Sequence, residues 1–120
     1  MEHKENKMKA LVCGGRNFSD VNLLENTLDD FGEITSIIEG GARGADTLAR
    51  LWAKKRQIPC QTVYAKWAAH GKGAGHIRNT EMLKLKPDVV IAFEGGAGTA
   101  NMIKQASKAG VKTYPIGEIQ

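Results

Sequence analysis

The sequence predicts a single three-layer α/β domain: a five-stranded parallel sheet in the order 3-2-1-4-5, with helices on both faces. Three observations predict it. Short apolar runs alternate with amphipathic helical stretches along the chain, the pattern of parallel strands joined by covered crossovers. Three of those runs end in glycine pairs: Gly14 with Gly15, Gly40 with Gly41, and Gly95 with Gly96. A chain of 120 residues, 42% hydrophobic and 25% charged, can bury one core and has an ordinary globular composition.

Residues 1–8 are polar and aperiodic and are expected to form a disordered tail; residues 9–120 form the domain. Residues 9–13 read as the first strand, followed by Gly14, Gly15 and a loop of Arg16, Asn17 and Phe18. Ser19 suits a helix N-cap, with Asp20 favourable in the first turn. Val21, Leu24, Leu28 and Phe31 then recur at helical spacing, and Gly32 suits the C-terminal turn. Residues 34–39 read as the second strand. Ala45, Leu48, Ala49 and Trp52 mark one face of a helix running to about Arg56, and Pro59 closes the connection to a third strand over residues 60–64.

Residues 66–75 hold three glycines and two lysines and read as an irregular lid or binding loop. A helix over residues 75–85 places Arg78, Glu81, Met82 and Leu85 on one stripe. Residues 89–93 are the fourth strand and the longest apolar run, only five residues, far short of the roughly 20 that span a bilayer. A helix over residues 100–109, ended by Gly110, and a strand over residues 111–116 complete the chain.

Right-handed crossovers bring every strand-to-helix turn to one rim of the sheet. Strands 1 and 4 then flank the point where strand order reverses, where open α/β sheets bind ligands. Glycines remove the Cβ atoms that would hold an anion away from backbone N–H groups, and a helix N-terminus adds donors and partial positive charge. Neither GxGxxG nor GxxxxGK[ST] occurs, which disfavours an ordinary dehydrogenase or P-loop ATPase and leaves NAD open as a ligand.

Arg43 can grip a phosphate in bidentate fashion or brace its turn by pairing with Asp46; Arg16 has a similar position after the first glycine pair. Arg78 and Asn79 either face the crevice or belong to a solvated helix turn. Trp67 can stack on a base, cover the pocket or pack. Glu39, Asp46, Glu81 and Glu94 are carboxylates near the rim that glycosidic cleavage would recruit. His70 and His76 lack a third ligand nearby, so no metal is expected. Cys13 and Cys60 lie in apolar runs without metal spacing and are expected to be buried thiols of a reducing compartment, the cytoplasm; neither a signal peptide nor a membrane span is visible. Net charge is +4, and the only compact basic run, Lys54, Lys55 and Arg56, reads as a solvated helix end.

Cys13-Gly14-Gly15-Arg16-Asn17-Phe18, Gly40-Gly41-Ala42-Arg43-Gly44-Ala45-Asp46, Ile77-Arg78-Asn79 and Gly95-Gly96-Ala97-Gly98-Thr99-Ala100-Asn101-Met102 together resemble the YspA-like (cpYpsA-related) family of the SLOG superfamily. The resemblance covers nearly the whole chain from Lys9. It implies a Rossmann-like fold that binds a nucleotide or nucleotide-derived ligand of ADP-ribose, AMP or NAD-derivative type, as a sensor, with no further cofactor. The implied ligand-binding residues are Gly14, Gly15, Arg16, Gly40, Gly41, Arg43, Gly44, Asp46, Arg78, Asn79, Gly95, Gly96, Gly98 and Thr99.

Related Lonely guy phosphoribohydrolases carry Arg-x-x-x-Met, matched by Arg78 and Met82, and Pro-Gly-Gly-x-Gly-Thr-x-x-Glu, matched at Gly95, Gly96, Gly98 and Thr99. Glu94 replaces the proline, and Met102 replaces a glutamate held to be catalytic there. The alternative function is therefore hydrolysis of the N-glycosidic bond of a nucleoside monophosphate, with Arg78, Glu81 or Glu94 as catalytic candidates. A second alternative is single-stranded nucleic-acid binding, because residues 41–46 are similar to a turn of DprA. A homodimer is left open.

Overall fold

The computed structural model describes residues 7–117. Its elements run β1 (Lys7–Cys13), α1 (Val21–Asp30), β2 (Glu33–Glu39), α2 (Ala45–Lys55), β3 (Cys60–Thr62), α3 (Trp67–His70), a 3-10 turn (Gly71–Gly73), α4 (Ala74–Lys84), β4 (Val89–Ala92), α5 (Ala97–Lys108) and β5 (Lys112–Pro115). The sheet is five-stranded, wholly parallel and ordered β3-β2-β1-β4-β5, as the sequence predicts. Of the expected tail, residues 1–6 lie outside the described residues, while Lys7 and Met8 already pair with Glu33 and Ile34 in the sheet.

Period-two alternation divides the strand residues between two cores. Ala10, Val12, Ile37 and Ile91 point to one face and pack with Leu24 and Leu28 of α1 and Ala49, Trp52 and Ala53 of α2. Leu11, Cys13, Ile38, Val90 and Ala92 point to the other and pack with Met82 of α4 and Met102 and Ala106 of α5. The consecutive helices α1 and α2 thus share one face, and α4 and α5 the other. β1 and β4 are the strands where the winding reverses.

Local chemistry explains where boundaries differ from expectation. Asp20, not Ser19, caps α1: its Oδ1 accepts from Leu23 N at 3.0 Å. Aspartate and serine are equally good caps, so composition could not choose between them. Residues 66–75 are largely helical rather than irregular. Trp67, Ala68 and Ala69 carry helix-compatible side chains, and Gly71 at φ +57 lets the chain reverse between α3 and the 3-10 turn. α5 begins at Ala97, three residues before its expected start at Ala100, so Gly98 lies inside its first turn. The basic run ends α2 with Lys54 and Lys55 exposed, and two of its three residues reach α1: Lys55 pairs with Glu25 at 2.9 Å, and Arg56 Nε and Nη2 reach Asp29 at 2.7 and 2.8 Å. Asp29 also accepts from the Trp52 indole at 3.0 Å, which together with Arg56 holds its carboxyl below the ordinary range.

Candidate functional site

All three glycine turns reach the C-terminal rim of the sheet, and they interlock there. Gly15 N donates to Glu94 O at 2.8 Å, joining the turns after β1 and β4. Gly15 O accepts from Ala45 N at 3.2 Å, joining the turn after β1 to the start of α2. These contacts need bare backbone. A Cβ on Gly14 would lie 2.6 Å from Ala45 Cβ, and one on Gly15 would lie 3.0 Å from Gly95 Cα. A Cβ on Gly95 would lie 2.7 Å from Gly15 N. Gly44, at φ +80, would drive a Cβ into Gly15 O and to 2.7 Å from Arg16 C. Gly14, Gly15, Gly44 and Gly95 therefore serve turn-to-turn packing. Gly96 and Gly98 are different: beyond their own stretch of backbone, no atom of the described residues lies within 4 Å of their Cβ positions.

The principal cavity measures about 650 Å³, within the roughly 300–1,000 Å³ typical of small-molecule sites. Of the expected residues it is lined by Gly15, Arg16, Gly40, Gly41, Arg43, Arg78, Gly96, Gly98 and Thr99. Gly14, Gly44, Asp46, Asn79 and Gly95 stand outside that lining. Ala42, Tyr64, Ala65, Trp67, Gly75 and Ala97 join it. Because the turns after β1 and β4 close on each other, the cavity extends across the ends of β2 and β3, toward α3 and α4, rather than straight between β1 and β4. Gly95 lines a neighbouring hollow of about 330 Å³ with Asn17, Phe18 and Glu94.

The N-termini of α2 and α5, which both lie at this rim, are not equivalent. At α2, Gly15 O takes the Ala45 N–H, and the Asp46 carboxylate already supplies negative charge to the first turn. At α5, Gly96 is the N-cap and offers no side-chain acceptor, so the N–H groups of Ala97, Gly98 and Thr99 have no intrahelical partner. Thr99 is 8% exposed, lines the cavity, and its hydroxyl makes no hydrogen bond among the described residues. The open donors thus converge at α5.

Arg78 links the walls. Its Nη1 donates to Gly40 O at 2.7 Å, its Nε to Asn79 Oδ1 at 3.1 Å, and its Nη2 makes no bond among the described residues. A Cβ on Gly40 would lie 2.8 Å from Arg78 Cζ, so Gly40 is glycine to admit the guanidinium. Asn79 is buried behind it and donates from Nδ2 to Gly98 O at 3.2 Å and Asn101 Oδ1 at 3.1 Å. Gln105 Nε2 donates to the same Asn101 oxygen at 2.7 Å. Asn79 therefore ties α4 to the first turn of α5 and orients Arg78; neither a solvated turn nor a cavity-facing amide describes it.

Beneath the cavity lie two buried carboxylates. Glu39 is fully buried: Oε1 accepts from Gly41 N at 2.7 Å, and Oε2 accepts from the Thr62 hydroxyl and from the Cys60 thiol at 3.7 Å. Asp46 Oδ2 accepts from Ala42 N at 3.2 Å, and no Arg43–Asp46 ion pair forms among the described residues; Arg43 is exposed on the cavity wall. Burial pushes the Asp46 carboxyl up to about 6; the Ala42 N–H opposes this, the Glu39 charge adds to it, and Arg78 opposes it. Burial likewise raises Cys13 to about 12 and Cys60 to about 11, so neither is a thiolate near neutral pH. Among the described residues no cluster of three His, Cys, Asp or Glu side chains is placed to hold a metal ion.

The raised Asp46 value makes a prediction. The folded protein holds this proton more tightly than the unfolded chain, whose value is near 3.8. The resulting stability is fully present below that value and is lost as pH rises through about 6. Asp46→Asn stays neutral throughout. In urea melts it is expected to match the parent near pH 4 and to exceed it at pH 7.5, by on the order of 2 kcal/mol. A less stable variant at pH 7.5 would mean that the ionised carboxylate's bond to Ala42 outweighs its burial.

The other acidic candidates stand apart from the cavity. Glu94 is exposed on the smaller hollow, and Glu81 is half-buried on α4 outside the lining. Met102 is fully buried in the core between α5 and the sheet. Tyr64 and Gly75 are not singled out from sequence as site residues: Tyr64 reads as the end of the third strand, which in the structure stops at Thr62, and Gly75 reads as part of the irregular segment.

No helix among the described residues is long and apolar enough to cross a membrane. The profile of the family described as YspA, cpYpsA-related SLOG matches residues 8–70, which carry the first two glycine turns. The Gene 61 protein of Mycobacterium phage D29 is 34% identical over 123 residues, covering 92% of this chain and 97% of that protein. With the fold, the interlocked turns and these matches together, the chain belongs to the YspA, cpYpsA-related SLOG family.

Proposed function

We propose that this protein binds a nucleotide or nucleotide-derived ligand, of AMP, ADP-ribose or NAD-derivative type, with a phosphoryl group over the first turn of α5. The carrying observation is the charge of the cavity: Arg16, Arg43 and Arg78 line it, none of the described lining residues is acidic, and α5 presents N–H groups without a partner among the described residues beside the Thr99 hydroxyl. Such an arrangement favours a multiply charged oxyanion, and bidentate guanidinium contacts suit phosphate. Membership of the SLOG family is consistent with nucleotide-related binding or activity. The free thiols Cys13 and Cys60 support a reducing, cytoplasmic setting.

Binding without cleavage is the better supported reading. Glycosidic hydrolysis calls for a carboxylate at the scissile carbon. Met102 turns into the core, and Glu39 is buried with both oxygens engaged. Nucleic-acid binding has weaker support, since two of the three residues of the compact basic run, Lys55 and Arg56, are paired with α1.

A thermal-shift panel of AMP, ADP-ribose, NAD, a cyclic dinucleotide and a short single strand tests this. A ligand at 100 times its Kd adds about 2.7 kcal/mol, or roughly 10 °C for a domain of this size. A response to at least one nucleotide is expected. No response to any would overturn the reading, and a steeply salt-dependent response to the single strand alone would replace it.

A further inference from the structure

Two large aromatic side chains on the cavity wall have no packing explanation. Tyr64 is 62% exposed and Trp67 51%, the two highest values among the large hydrophobic residues described. Both line the principal cavity; Val21, Leu51, Ile77 and Tyr114, the other exposed large hydrophobics, do not. Trp52 provides the contrast within the same chain. It is 3% exposed, and its indole N–H is engaged by Asp29. Neither the Trp67 indole nor the Tyr64 hydroxyl makes a hydrogen bond among the described residues.

Each ring comes close to a glycine. The Cβ position of Gly41 lies 2.5 Å from both Cδ1 and Cε1 of Tyr64, and that of Gly75 lies 3.6 Å from Cη2 of Trp67. Both rings therefore stand against bare backbone while about half or more of each side chain stays exposed on the cavity wall. Gly41 is doubly constrained, because its φ of +76 also disfavours any other residue. Between the two platforms stands Arg78: its guanidinium fills the Cβ position of Gly40 and lies 4.0 Å from that of Gly75. An aromatic surface therefore adjoins a cation in one cavity, with the open donors of α5 also on its wall. Exposed ring faces lose unfavourable hydration when a flat π-system covers them, and they offer nothing comparable to a bare sugar or phosphate.

We propose that Tyr64 and Trp67 are the specificity-determining residues of this cavity and stack on the base of the ligand, so that the site takes nucleotides and rejects sugar phosphates. This rests on the phosphate-binding reading of the same cavity and goes beyond it by assigning the part of the ligand that carries the base. Stacking reads a π-face rather than a hydrogen-bonding edge, so purine and pyrimidine nucleotides are both accepted.

The experiment is calorimetry and tryptophan fluorescence with AMP, CMP, ribose 5-phosphate and inorganic pyrophosphate, on the parent and on Tyr64→Ala, Trp67→Ala and Tyr64→Phe. Both side chains are exposed, so the variants keep their fold, which melting curves check. The expected result is tighter binding of the nucleotides than of ribose 5-phosphate, by roughly 10-fold or more. Each alanine variant loses about that factor for nucleotides and stays within about twofold for pyrophosphate, while Tyr64→Phe behaves as the parent. AMP quenches the fluorescence of the parent but not of Trp67→Ala. Equal affinities for AMP and ribose 5-phosphate, unchanged in the alanine variants, would overturn the stacking assignment and leave the phosphate site standing. Binding of none of the four probes would overturn both.

Discussion

Gly44→Ala is expected to destabilise the protein by about 3–5 kcal/mol, a large part of the roughly 5–15 kcal/mol that holds a domain together. Two costs add. The residue sits at φ +80, where an L side chain is strained, and its Cβ would meet Gly15 O and Arg16 backbone atoms that have no flexible end to yield. The only relief is to part the turn after β1 from the start of α2, which breaks the Ala45 N to Gly15 O bond at 3.2 Å. Urea melts check this, with the midpoint falling at unchanged m. Gly98→Ala is the control. Gly98 lies in the first turn of α5 with empty space at its Cβ position, so alanine there is expected to stabilise by about 0.5–1 kcal/mol. Its methyl group nevertheless enters the cavity, so nucleotide binding weakens while the fold gains. Equal effects of the two substitutions on stability would show that the turns do not interlock as described.

Arg78→Ala is expected to carry the largest effect on ligand binding, a loss of roughly 100-fold. The guanidinium has three positions to fill. Nη1 holds Gly40 O and Nε holds Asn79 Oδ1, which leaves Nη2 for an anion in the cavity. Lysine keeps the charge but cannot occupy all three places, so Arg78→Lys is expected to recover only part of the affinity. A structural cost accompanies the loss, because Gly40 O loses its donor; about 1–2 kcal/mol is expected in urea melts. Calorimetry with the nucleotide found in the thermal-shift panel separates the two effects. Unchanged affinity combined with reduced stability would assign Arg78 to bracing alone.

The sequence carried the architecture well because its signals are local. Ala10, Leu11, Val12 and Cys13 form an unbroken apolar run, the pattern of a parallel strand buried on both faces. Leu24 and Leu28, and Ala49 and Trp52, repeat at helical spacing, so the faces of α1 and α2 could be named before any contact was known. Where local signals were equivalent, the boundary moved, as with Ser19 and Asp20 at the start of α1. Where they conflicted, the element changed: the glycines of residues 66–75 suggested a loose loop, but Trp67, Ala68 and Ala69 formed a helical turn with Gly71 as its reversal point.

The candidate site divides in the same way. That three glycine turns, Arg16, Arg43 and Arg78 share one rim follows from a parallel sheet, which strand–helix alternation implies by itself; the order of the strands does not follow from alternation. Which glycine does what was decided only by tertiary approach. Gly44 is glycine because Gly15 passes beside it, Gly40 because Arg78 reaches it from α4, and Gly41 because the Tyr64 ring lies on it. The same holds for the opposite states of the two helix ends, α2 closed by Gly15 O and Asp46, α5 left open beside Thr99. Periodicity reports which face of an element is apolar; it carries no information on which atoms of distant segments come within 3 or 4 Å, and at that range both the cavity and its donors are defined.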